Sequence, residues 1–69
     1  MKLNVMFRIN DIDEDKSNEL YTFSAMIDYI SEWNTDMGTK YHTIQEFNDG
    51  EEYYEIEAVV FTTDYLLLN

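Results

Sequence analysis

Thr22-Phe23-Ser24-Ala25-Met26-Ile27-Asp28-Tyr29-Ile30-Ser31-Glu32-Trp33-Asn34-Thr35-Asp36-Met37-Gly38 is the stretch on which the fold turns. Phe23, Met26, Ile27, Ile30, Trp33 and Met37 recur three and four residues apart, so they line one face of an α-helix. Thr22 or Ser24 can cap the first turn by accepting from a free backbone N–H. With Thr22 as the cap, Tyr21 and Met26 form a hydrophobic staple across the helix start. Gly38 stands where a left-handed residue closes a helix.

Upstream, residues 2–10 alternate: Leu3, Val5, Phe7 and Ile9 point one way and Lys2, Asn4, Met6 and Arg8 the other, the pattern of a half-buried strand. An acidic loop, Asp11-Ile12-Asp13-Glu14-Asp15-Lys16-Ser17-Asn18, carries the chain to the helix. Downstream, Tyr41–Phe47 and Glu51–Thr62 predict a hairpin around Asn48-Asp49-Gly50. A three-residue loop with Gly50 left-handed sets Ile44 opposite Tyr54 and His42 opposite Ile56. His42, Ile44, Tyr54, Ile56, Ala58 and Val60 then face the core, and Tyr41, Thr43, Gln45, Phe47, Tyr53, Glu55 and Glu57 face outward. Val59, Val60 and Phe61 make the second strand apolar on both faces, as in a central strand.

The expected fold is α+β: a small two-layer domain, one helix packed on a three-stranded antiparallel sheet in the order β-α-β-β. A fourth strand is added if the Tyr65–Leu68 tail joins. Residues 1–69 form one domain, with Trp33, Ile30, Phe7, Val5, Ile56 and Val60 in a single core. A chain of 69 residues buries only about 60% of its unfolded surface. With no cysteine for a disulfide, aromatic residues at 16% of the chain must carry much of the stability. Self-association into a homodimer is a further source of burial.

Fifteen acidic residues against four basic ones give a net charge of −11. Such a chain repels nucleic acid and anionic membrane, which removes direct binding of either. No stretch has the length of a membrane span, and the N-terminus lacks the apolar core of a secretion signal, so a cytoplasmic location is expected. Phe, Tyr, Met, Ile, Asn and Lys, with AT-rich codons, far outnumber Gly, Ala, Arg and Pro. That balance points to an AT-rich bacterium or its phage.

Nothing in the sequence is organised for catalysis. His42 is the one histidine, there is no cysteine nucleophile, and Gly38 and Gly50 make no phosphate loop. No cofactor is expected. Asp11, Asp13, Asp15 and Glu19 resemble positions 1, 3, 5 and 9 of an EF-hand calcium loop. The likeness stops there: Lys16 stands where the turn needs glycine and Thr22 where a bidentate glutamate belongs.

The arrangement of charge is the informative feature. Asp28, Glu32 and Asp36 follow one turn apart on the helix back with no lysine between them. Glu51, Glu52, Glu55 and Glu57 run along the expected hairpin among Tyr41, Phe47 and Tyr53, and Asp11, Asp13, Glu14 and Asp15 make a third group. Rings ringed by acids are what protein interfaces use, the rings as desolvated anchors and the acids for steering. In length, acidity and lack of cysteine or catalytic motif the chain resembles DNA-mimic and anti-CRISPR inhibitors. That resemblance implies an inhibitor, encoded by a phage or mobile element, that occupies the nucleic-acid-binding surface of a basic host protein. The alternative is an antitoxin-like or other dedicated acidic partner that neutralises one basic protein through a few aromatic contacts, without imitating nucleic acid.

The two failed loop positions predict metal independence: millimolar calcium should leave the melting temperature where equal magnesium leaves it. A rise of several degrees specific to calcium would contradict this.

Overall fold

The computed structural model describes residues 2–13 and 19–62. Along the chain come β1 (Leu3–Asp11), α1 (Phe23–Met37), α2 (Ile44–Gly50) and β2 (Tyr54–Thr62). The architecture is α+β: the described residues form two helices with a two-stranded antiparallel sheet in the order β1-β2.

Helix α1 begins and ends where its sequence directs. Thr22 accepts the Ala25 N–H at 3.1 Å, and Tyr21 packs on the core that holds Met26. Gly38 adopts φ 72° and donates to the Asn34 carbonyl at 2.9 Å. Met26 and Ile30 are buried on the inner stripe.

The expected hairpin is not formed. Its first strand is instead α2, so the order is β-α-α-β, and among the described residues the sheet has two strands. The local chemistry explains the helix. Thr43 accepts the Glu46 N–H at 3.0 Å, and Glu46 reaches back to accept the His42 N–H at 2.7 Å, a reciprocal cap. Ile44 and Phe47, three apart, then turn to the core together. Gly50 is not left-handed, Gly38 being the glycine with positive φ. What Gly50 supplies is room: a Cβ there would collide with the Tyr41 ring. His42, expected inside beside Ile56, is exposed.

The strand partner of β2 is β1, running from Leu3 opposite Thr62 to Asp11 opposite Tyr54. This register keeps the alternation of β1, since Val5, Phe7 and Ile9 lie opposite Val60, Ala58 and Ile56. The core is Met26, Ile30, Phe47 and Ile56, with Phe7, Trp33, Tyr41 and Tyr54 among the half-buried residues packed on it. Phe47 enters beneath Trp33 and draws the core toward the Ile9–Ile56 end of the ribbon. Val5 and Val60, expected in the core, are therefore 48% and 60% exposed at the other end. The fourth strand expected at Tyr65–Leu68 lies outside the described residues.

Two asparagines tie the elements together. Asn34 donates to the Tyr41 carbonyl at 2.7 Å and accepts from the Tyr41 N–H and the Thr39 hydroxyl, fixing the link between the helices. Asn48 pairs with the backbone of Ile56 in both directions, at 3.0 and 2.8 Å, as a neighbouring strand would. Trp33 Nε1 is buried with no acceptor among the described residues, a local cost to the fold.

Truncating Phe47, which is fully buried, to alanine should cost about 3–5 kcal/mol. For a domain this small, that leaves most molecules unfolded. Tyr53→Ala, at a site 56% exposed, should change stability by less than about 0.5 kcal/mol. Urea unfolding followed by tryptophan fluorescence measures both, and equal effects would contradict this core.

Candidate functional site

Asp28, Glu32 and Asp36 are all exposed on α1. At a rise of about 1.5 Å per residue, successive carboxylates stand about 6 Å apart along the axis. None has a hydrogen bond or ion pair with the described residues. Their placement runs against helix stability. The positive end of the helix dipole favours acids in the first turn, and α1 has none there; its last turn, where bases belong, has Asp36 and no base. Like charges four apart add a further cost of a few tenths of a kcal/mol per pair.

The row borders a groove. Tyr21, Ala25, Asp28, Tyr29 and Glu32 line an open depression of about 280 Å³. Its lining joins the small Ala25, two carboxylates and the Tyr21 and Tyr29 rings, which stand 5.9 Å apart and tilted at 47°. A carboxylate pair beside aromatic faces suits a guanidinium or ammonium group, through charge-assisted hydrogen bonds and cation–π attraction. Neither tyrosine is among the residues expected from the sequence at a binding surface. The signal was there, because Ala25, Asp28, Tyr29 and Glu32 are consecutive neighbours on one helical stripe and Tyr21 abuts the cap.

The other expected acidic residues do not form one face. Phe47 is in the core, a correction to its expected place at an interface, and Tyr41 is half-buried against it with ring centroids 5.6 Å apart. The Tyr41 hydroxyl donates to Glu51 at 2.6 Å, which gives that carboxylate a structural partner. Glu57 is ion-paired with Arg8 across the ribbon, and Glu55 lies opposite Asn10. The row of Glu51, Glu52, Glu55 and Glu57 along a hairpin is therefore broken up, although Glu52, Tyr53 and Glu55 stay exposed. In the loop, Asp11 accepts the Asp13 N–H at 3.0 Å, a local turn. Glu14 and Asp15 lie outside the described residues.

Three tyrosines have their ionisation pushed up. For Tyr21 the causes are burial first and then the hydrogen bond and negative charge of Glu19. Tyr29 responds to burial and then Tyr54; Tyr41 responds first to its bond to Glu51 and then to burial. No group of three or more His, Asp or Glu residues is poised around a metal among the described residues, and no described helix is long and apolar enough to cross a membrane. No protein-family model, curated protein or solved structure matches the chain.

A raised tyrosine pKa means that the fold favours the protonated phenol, so its contribution is complete below the unfolded value of about 10 and lost as pH rises through the folded one. Thermal stability should accordingly decline above about pH 10, and Tyr41→Phe, which has no phenol to ionise, should decline less steeply. An identical alkaline profile for the two proteins would contradict the Tyr41–Glu51 bond.

Proposed function

We propose that this protein is an acidic inhibitor that covers the nucleic-acid-binding surface of a basic protein as a DNA mimic. The observation that carries the reading is the row Asp28, Glu32 and Asp36. It is exposed, has no cation from its own helix, and is placed where it weakens that helix. Charge that costs the fold stability and has no partner among the described residues is suited to an external one. The spacing is of the same order as charges along a nucleic-acid backbone. The groove beside Asp28 and Glu32 would receive an arginine or lysine that otherwise holds a phosphate, and its tyrosine rings would stand in for the flat face of a base.

On this reading the target is a host nuclease, CRISPR effector, restriction enzyme, polymerase or nucleoid protein, and the setting is the bacterial cytoplasm. The chain itself is not an enzyme and needs no cofactor or membrane. The dedicated-partner reading draws on Tyr53, an exposed ring between Glu52 and Glu55. It has lost Phe47, its other expected anchor, to the core.

The two readings part in a salt and charge-reversal series on the basic protein that the immobilised chain captures from bacterial lysate. A mimic's affinity should fall steadily as ionic strength passes about 0.15 M, where exposed charges are screened beyond about 8 Å. Asp36→Lys should weaken capture while making the fold more stable by about 0.3–1 kcal/mol, because it puts a base at the negative end of α1. Tyr53→Ala should change affinity little. Capture that is indifferent to salt and to charge reversal on α1 but abolished by Tyr53→Ala would overturn the mimic in favour of the dedicated partner.

A further inference from the structure

At the end of the ribbon away from the core, Leu3, Val5 and Val60 share one face and are 64%, 48% and 60% exposed. On the opposite face of the same end, Phe61 is 39% exposed. Among the described residues, the outer edge of β2 is open there. Ile12 donates to the Tyr53 carbonyl, and the backbone of Ile56 turns outward to Asn48. Alternation along an antiparallel strand then points the N–H and C=O groups of Ala58, Val60 and Thr62 outward as well. Asn48 covers this edge at Ile56, and among the described residues nothing covers it beyond.

We infer that the open β2 edge pairs with the same edge of a second copy of this chain, giving a four-stranded antiparallel sheet, β1-β2-β2-β1, across a two-fold axis near Val60. Three observations select this occupant. An antiparallel edge is complementary to itself, so a two-fold axis satisfies both sets of backbone groups at once. Val59, Val60 and Phe61 have the two-sided apolar pattern of a central strand, a position β2 gains only when a further strand joins it. The third is charge. None of the 15 acidic residues lies within residues 2–7 or 58–62, where the one charged residue is Lys2. For a chain of net charge −11, this is, among the described residues, the part where a like copy meets the fewest carboxylates. The contact is remote in kind from the acidic row of α1 and does not depend on the function proposed for it. It would present two such rows from one assembly.

Sedimentation equilibrium on the full chain, at rising concentration and at two ionic strengths, tests the contact. The mass should move from one chain to two with concentration, and more readily in salt, which screens the repulsion between two acidic chains. Val60→Lys, which sets a charge at the axis, should be monomeric with an unchanged circular dichroism spectrum. Asp28→Lys should still form the dimer. In the wild type, amide exchange at Ala58 and Val60 should slow as concentration rises, a readout that needs no variant to fold. Either a monomer at every concentration or a dimer indifferent to Val60→Lys would overturn the inference. Amides at 58 and 60 that are protected in a monomer and exposed on removing residues 63–69 would also overturn it, assigning the edge to the chain's own C-terminal segment.

Discussion

The burial of Phe47 under Trp33 is the interaction on which the rest of the structure depends. The two rings meet edge to face with centroids 5.2 Å apart, and Trp33 meets Tyr54 in the same way at 5.0 Å. Through these contacts one aromatic cluster joins α1, α2 and the start of β2, in a chain with no disulfide to do so. With residues 44–50 wound into a helix by the Thr43 and Glu46 cap, Phe47 reaches Trp33, and Asn48 one step on is carried to the edge of β2, where it binds Ile56. Drawing the core to that end of the ribbon is also what leaves Val5 and Val60 uncovered. The functional surface follows from the same anchoring, since the inward stripe of α1 fixes Asp28, Glu32 and Asp36 on the outside.

Those parts of the fold whose signal is long and local were legible in the sequence. The fifteen residues of α1 carry four turns of apolar periodicity with a cap at each end, and β1 alternates cleanly through Ile9. The hairpin failed for a physical reason. A seven-residue helix has two turns, too short for periodicity to outweigh an apparent alternation, and Tyr41, Thr43, Gln45 and Phe47 supplied one. The decisive marks were Thr43 followed by Glu46, a capping pair, and the three-residue spacing of Ile44 and Phe47. Asn48-Asp49-Gly50 reads as a turn by composition, but Gly50 is small because the Tyr41 ring lies against it. The strand partner of β2 could not be read locally, since β1 is some fifty residues away.

Legibility of the candidate site divides along the same line. The acidic row on α1 was visible because it is the back of a visible helix. The expected row on the hairpin dissolved with the hairpin: Glu57 went to Arg8, Glu51 to Tyr41 and Phe47 to the core. Tyr29 shares the helical stripe of the row, whereas Tyr21, which lies before the cap, joins it only in the fold, through its ring contact with Tyr29. What is left is a surface with two characters. Among the described residues, one side carries acids without an ion-pair partner, arranged against the preference of the helix dipole, and the far end of the ribbon is apolar with no acid. Salt weakens attraction at the first and relieves repulsion at the second, so ionic strength separates the two experimentally.

The central claim is that the α1 acids occupy the place of a nucleic-acid backbone. Its most direct measurement is the fluorescence anisotropy of a labelled DNA or RNA duplex bound to the captured basic protein, as this chain is titrated in. The account predicts that the duplex is released in step with complex formation, and that a variant with Asp28, Glu32 and Asp36 all replaced by lysine releases none. An anisotropy that holds or rises while the protein, the duplex and this chain form a ternary complex would contradict it.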